Sequence, residues 1–300
     1  MDAARRLSIA LLIVWLSSSV KADIIYLLNG QKHENVTITN EACDRVTFKS
    51  GDLKQEARSQ DILEIDRQGA PSAFRRGMVA FKSGQYSVAS DRFKECESEH
   101  EEWVVARALF FRARSQQLAG KQKEAAAMFG EFAEKFKEHF LTADAFFERG
   151  YCLIALNELG EAGGVFDALM QFGKSKELEK AELDGEFGKG LVEVAKKSPA
   201  EARRAFESVV RKGSRGESFA RITSQAKLMI GKTLIEEKRW DQAQKHFDSV
   251  LSEPVDSSVI AGLYNGYGQA LSPLGGPETQ RKAQLAYLRV VLLFANDPAA

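Results

Sequence analysis

The stretch "WDQAQKHF", Trp240 to Phe247, places a small residue, Ala243, four positions before a ring, Phe247. The same pair recurs at Ala89 and Phe93, Ala125 and Phe129, Ala162 and Phe166, Ala202 and Phe206, and Ala283 and Tyr287. Successive small residues stand 36, 37, 40, 41 and 40 positions apart. Intervals of this size mark a solenoid of stacked supersecondary units. Other positions keep the same register. Twelve residues before the first five small residues lie Gly77, Ala113, Gly150, Gly190 and Gly231, and fifteen before them lie Phe74, Phe110, Phe147, Phe187 and Leu228. Seven residues after the small residues come Cys96, Phe132, Leu169, Val209, Val250 and Val290.

Offsets of three, four and seven put residues on one helix face, so each unit is two helices. The turn between them falls at Gly84, Gly120, Asn157, Lys197 and Lys238, five residues before each small residue. The first three are types that tolerate the left-handed conformation that ends helices. A residue without bulk lets two helix backbones approach, and a ring one turn later fills the gap at the flank. Glycine inside a helix costs about 1 kcal/mol against alanine, so its recurrence at one register implies a close contact that repays it.

The segments "GQYSVASDRF" (Gly84 to Phe93), "GKQKEAAAMF" (Gly120 to Phe129) and "RWDQAQKHF" (Arg239 to Phe247) resemble the tetratricopeptide repeat, TPR. The resemblance extends over residues 71–294. It implies a mainly α protein, a TPR-type solenoid of about six helix-turn-helix units in a right-handed superhelix with the first helices lining a concave groove. It also implies a protein that binds other proteins or peptides, without cofactor or catalysis. The matching groove positions are Phe74, Met78, Phe81, Phe110, Arg114, Gln117, Phe147, Tyr151, Ile154, Phe187, Leu191, Val194, Leu228, Lys232 and Ile235. Phe74, Phe81, Phe110, Arg114, Phe147, Tyr151, Phe187, Leu228 and Lys232 are the candidate binding residues among them. A wall of exposed rings marks a surface for an apolar or amphipathic segment. The competing reading makes the phenylalanines core between neighbouring helices. Two departures from the family pattern stand out. The later units are long, which extends "RKGSRGESF" and "SEPVDSS", and the sixth carries "SPLGGPE", so that its earlier small residue is Gly266 or Gly268.

Ahead of the repeats the period changes to two. "DIIYLLNG", "VTIT", "RVTFK" and "ILEID" are short β-rich runs between Asp23 and Arg67. Asn29 and Gly30 predict a hairpin turn with positive φ at both residues, and Gly51 with Asp52 predicts another. Such runs favour a small closed or half-closed sheet. Their order resembles bacterial Sm-like or SH3-like barrels, which precede helical repeats in envelope proteins. The organisation expected is a signal peptide (1–22), a small β domain (23–67), a linker (68–72) and the solenoid (73–300).

The signal-peptide reading rests on Arg5 and Arg6, the apolar run Leu7 to Leu16, and small residues framing a cleavage site before Asp23. The apolar run falls short of the about 20 residues a spanning helix needs. The expectation is therefore an exported protein, periplasmic or secreted, without a membrane span after cleavage. Lys plus Arg and Asp plus Glu number 42 each, so no global field draws the chain to nucleic acid.

Other motifs read as structure. "KLMIGKT" (Lys227 to Thr233) has Ala226 where a phosphate-binding loop needs glycine, and "GEFGKG" (Gly185 to Gly190) lacks the strand and final glycine of a dinucleotide site. His33, His100, His139 and His246 never stand at metal-site spacings and are expected on the solvated surface. Cys43, Cys96 and Cys152 are odd in number and far apart, which excludes a disulfide scaffold, and Cys96 and Cys152 fall on apolar helix faces. The closing "LAYLRVVLLFANDPAA" makes the final helix apolar nearly all round, whereas solenoids normally end in a polar cap. A partner or self-association through that helix is expected to cover it. The functional expectation is a non-catalytic exported scaffold using the concave face. The alternatives are an accessory, substrate-recruiting domain of an envelope enzyme complex and a self-associating surface assembly protein.

Overall fold

The computed structural model of the chain describes residues 22–214 and 216–294. The expected signal peptide lies almost wholly outside these residues. The described chain opens with five strands: β1 (Asp23–Leu27), β2 (Lys32–Glu41), β3 (Arg45–Ser50), β4 (Leu53–Arg58) and β5 (Ile62–Asp66). They form one antiparallel sheet in the order β4-β3-β2-β1-β5. The long β2 bends where its register slips between Ile38 and Asn40, so it serves both halves of the sheet. Its inner face buries Ile25, Val36, Ile38, Val46, Phe48 and Ile65.

The first hairpin corrects the expected turn. Gly30 has φ +81°, but Asn29 does not enter the left-handed region. Gly30 N donates to Leu27 O at 3.0 Å and Leu27 N to Gln31 O at 2.8 Å, the pattern of a turn closed by a single left-handed glycine. The Asn29 carboxamide instead accepts from Gln31 N at 3.0 Å.

Twelve helices follow among the described residues, in six hairpins. They are α1 (Ser72–Lys82) with α2 (Tyr86–Lys94), α3 (Glu102–Leu118) with α4 (Gln122–Lys135), and α5 (Thr142–Ala155) with α6 (Leu159–Lys176). Next come α7 (Glu179–Ala195) with α8 (Pro199–Gly213), α9 (Ala220–Glu236) with α10 (Trp240–Leu251), and α11 (Ile260–Leu271) with α12 (Pro277–Leu293). The extended connections carry 3-10 turns, Glu217–Phe219 before α9 and Ser257–Val259 before α11.

All five turn residues inside the first five units are left-handed, Lys197 and Lys238 included, at φ +59° and +58°. Each lets the next amide reach back to the ending helix: Arg239 N donates to Leu234 O and Lys238 N to Ile235 O, both at 2.9 Å. The geometry of the turn therefore overrides residue preference.

The recurrent rings fill the units. Phe93, Phe129, Phe166, Phe206 and Phe247 are fully buried. Phe247 lies between two helices whose glycines leave room for it, since a Cβ on Gly231 or Gly266 would come within 2.2 or 2.5 Å of the ring. In the sixth unit Gly268 performs this role for Tyr287, while Gly266 serves the ring of the preceding unit. Both candidates for that register are thus used, for different rings. Each first helix also packs on the next first helix, from α1 against α3 to α9 against α11. Those helices form the inner wall of the stack.

Candidate protein-binding groove

Five phenylalanines, Phe74, Phe81, Phe110, Phe147 and Phe187, are candidates for the groove wall or for core. Phe74, Phe110 and Phe187 are buried, at 4, 6 and 5 % exposure. Each meets the ring nineteen positions later in its own unit. Ring centroids are 5.5 Å apart for Phe74 and Phe93, 5.6 Å for Phe110 and Phe129, 5.8 Å for Phe147 and Phe166, and 5.2 Å for Phe187 and Phe206. Tilted and edge-on ring pairs at such distances are favourable core contacts. The half-buried Phe147 also stacks on Phe187, at 6.4 Å, and so ties two units together. Phe81, half-buried, packs on Tyr86 and Phe111. The phenylalanines are core, and of the candidate rings only Tyr151 stands open on the wall.

What remains open is more polar. Tyr151 is 49 % exposed, and Lys232 is exposed at the rim of a pocket of about 330 Å³ formed with Ile235, Glu236, Asn265 and Gln269. Leu228, half-buried, packs against Gly262, which lines that pocket. Arg114 is spent within the wall: its Nη1 lies 2.6 Å from Glu148 Oε1 and donates to Gln117 Oε1 at 2.8 Å. Burial pushes the Glu148 carboxyl above its ordinary range despite Arg114 and Gln117. One unit on, Lys180 of α7 bridges Asp184 at 2.7 Å and Asp144 of α5 at 3.8 Å. Burial opposes its charge, but the two carboxylates outweigh it and raise its pKa.

The repeat register passes over a second set of residues. Arg107, Asp144 and Asp184 stand three positions before Phe110, Phe147 and Phe187. That recurrence of charge one turn before each ring is the signal that locates them. Arg107, 4 % exposed, donates from Nη2 to the carbonyl of Ile65 in β5 at 2.6 Å. The β-sheet is therefore docked on the N-terminal part of the inner wall. Around Arg107 a buried ionic cluster forms. Arg67 Nη1 reaches Glu41 Oε1 at 3.0 Å, Arg67 Nε lies 3.6 Å from Asp23 Oδ2, and His139 Nε2 lies 3.3 Å from Glu41 Oε2. The Arg67 guanidinium also covers the Trp103 ring at 4.1 Å. Burial disfavours the Glu41 charge, but His139, Arg107 and Arg67 together hold the carboxyl below its usual range.

Other contacts fix the same junction. Phe140 N donates to Glu41 O at 3.1 Å, and the Phe140 ring packs against the sheet's core. Lys82 pairs with Glu64 at 2.8 Å, and Ser218, just before α9, donates to Asp61. The sheet thus reaches from the first unit to the entrance of the fifth. Beside the cluster lies a cleft of about 760 Å³ lined by Glu41, Arg67, Trp103, Lys135 and His139.

The histidine expectation needs correction, because His33, His139 and His246 all pack. His33 lies against Phe48, with ring centroids 4.8 Å apart. His246 Nε2 meets Lys227 O at 2.7 Å, and burial lowers its pKa. Only His100 of the four is exposed. Cys43, Cys96 and Cys152 are buried free thiols, and burial pushes Cys96 up to about 11 and Cys152 up to about 12. Gly231 of "KLMIGKT" and the glycines of "GEFGKG" lie inside α9 and α7. No helix of the described residues is long and apolar enough to cross a membrane.

The repeat geometry has counterparts in solved structures. RapI in its apo form is 13% identical, with 73% of this chain and 82% of that one aligned at a TM-score of 0.57. BtubC from P. vanneervenii is 11% identical over 73% of this chain and 90% of that one, at 0.52. The C-terminal part of a TPR repeat-containing protein from Cytophaga hutchinsonii is 17% identical over 74% and 79%, at 0.45. The helical part has the TPR-type fold. At such identities the likeness speaks for the fold alone. No family model and no curated protein matches the chain.

Proposed function

We propose that the protein is a non-catalytic exported scaffold that holds a protein or peptide partner on the inner wall of its solenoid, C-terminal to the docked β-sheet. The observation that carries this reading is the division of the wall. Its N-terminal part already grips one polypeptide segment, β5, through Arg107, whereas Tyr151 and Lys232 farther along face solvent. A half-exposed tyrosine on a wall whose first helices also carry half-buried Ile154, Leu191, Val194 and Ile235 offers a rigid anchor on a partly apolar surface. The Lys232 pocket adds amide groups from Asn265 and Gln269 that can pair with backbone. Export is supported by the layout of residues 1–22 and by β1 beginning at Asp23, directly after the expected cleavage site.

Retention of proteins from an envelope extract by the purified chain tests the scaffold role, with the Tyr151→Ala, Lys232→Glu double variant beside it. Loss of specific retained proteins in the variant, at unchanged helical content, is the expected result. Equal retention by both proteins rules the groove out. N-terminal sequencing of the exported form tests the compartment, with Asp23 as the expected first residue.

A further inference from the structure

The six second helices of the solenoid serve as controls for one another. In the fourth unit the positions two, five and nine after the small residue are Arg204, Glu207 and Arg211, and in the fifth Lys245, Asp248 and Ser252. All are exposed, and the first three units carry only polar or small residues at the same places. In α12 these positions are Leu285, Leu288 and Leu292, exposed to 51, 49 and 70 %. Spacings of three and four align them in one outward row. A missing neighbour does not account for them. Phe247 and Leu251, the fifth unit's equivalents of Tyr287 and Val291, pack within the core. Exposure of Tyr287 and Val291 therefore follows from α12 standing last among the described helices, but the leucine row faces the side that the other units give to water, Gly130 beneath Arg149 being the one covered position.

Charge decides what fits the row. Arg281 stands four residues before Leu285 and continues the same line. The helix also carries Lys282 and Arg289, with Glu278 as its single carboxylate, in a chain whose total charge is balanced. Lys282 already holds Glu278 at 3.0 Å, and Arg289 lies over the Tyr264 ring at 5.1 Å. A second α12 packed on the row would bring another helix of the same sign and would bury Arg281 without an acid to meet it. An anionic lipid surface removes both problems. Leucines enter the boundary between headgroups and acyl chains, and the arginine extends along them to phosphate.

We propose that α12 docks the protein on an anionic membrane surface through Leu285, Leu288 and Leu292, with Arg281 at the headgroups. The docking is peripheral. This inference is independent of the groove, which lies on the first helices.

Co-sedimentation with vesicles tests it, using phosphatidylcholine alone and phosphatidylcholine mixed equally with phosphatidylglycerol. The full chain is compared with Leu288→Glu, Leu292→Glu, so that the apolar segment near the N-terminus is common to both proteins. The expected result is binding to the mixed vesicles that weakens with salt and falls at least about tenfold in the double variant. Arg281→Glu, which leaves the row intact, weakens binding to the mixed vesicles only. Equal binding of parent and double variant overturns the proposal, as does binding by neither. A dimer in light scattering that the double variant dissociates, without vesicle binding, assigns the row to a second copy and overturns it too.

Discussion

The ring of Phe166 rests on the bare backbone of Gly188, so closely that a Cβ built there would come within 2.2 Å of the ring. Phe166 belongs to α6 and Gly188 to α7, so this contact joins the third unit to the fourth. Gly150, in the ring's own unit, leaves room on the other side, where a Cβ would approach to 2.5 Å. The solenoid is held by such rings pressed between two small residues.

Gly188→Ala should therefore destabilise the protein although alanine favours a helix. Propensity contributes about 1 kcal/mol in favour, whereas overpacking costs about 1–3 kcal/mol, and the ring is fully buried with nowhere to move. Thermal unfolding followed by circular dichroism should show a midpoint several degrees lower. An unchanged or raised midpoint would show that α7 simply shifts.

Lys238→Gly should act the other way. Lys238 holds φ +58° to close the turn between α9 and α10, a conformation disfavoured for a residue with Cβ. Glycine releases that strain at the cost of unfolded-chain entropy, leaving a net gain of about 0.5–1 kcal/mol. Chemical denaturation reads it as a higher midpoint at constant slope. Lys197→Gly, at φ +59°, is expected to match it, and failure of both would mean that the turns carry no strain.

These two residues also show how far the sequence could be read. The repeat register placed the turns, because it rests on helix periodicity and on the volume of Ala, Gly and Phe, which are local properties. It did not show that lysines would take up the left-handed turn, since hydrogen bonds from the following amide impose it. The second-helix rings were legible as packing, but the first-helix rings only as a ladder with core and groove both open, because facing inward or outward depends on the angle between helices. Tyr151 and Lys232 were visible as register positions. The junction of Glu41, Arg67, Arg107 and His139 was not, since it joins residues up to 98 positions apart and no periodic pattern links a sheet to a helix.

Arg107→Ala should loosen the sheet before it unfolds the helices. Removing this guanidinium orphans the Ile65 carbonyl and takes a cation from beside Glu41, a loss of about 2–4 kcal/mol at a buried site. The stacked units keep their own cores. Limited proteolysis should cut the connection between β5 and α1 faster, while the helical signal melts at nearly the same temperature. Simultaneous loss of sheet and helix would show that the two form one cooperative unit.

Glu41 gives the junction a pH dependence whose sign can be worked out. Its carboxyl is held below the ordinary value of 4.5 in the folded chain by His139, Arg107 and Arg67, against the effect of burial. A depressed carboxylate contributes stability that is fully present above the unfolded pKa and is lost as pH falls through the folded one. The contribution should thus be complete at pH 7 and decline below about pH 4.5. Glu148 shifts upward, so its contribution is lost as pH rises above 4.5, the window adjoining that of Glu41, and the profile of the parent alone combines the two. The difference between the parent and Glu41→Gln isolates the junction. Glutamine keeps the shape but not the charge, leaving Arg67 and Arg107 facing each other without an anion between them. Denaturation midpoints of the two proteins should lie well apart at pH 7 and converge as acid neutralises Glu41. Parallel profiles down to acid would mean that the carboxylate does not hold the sheet on the solenoid.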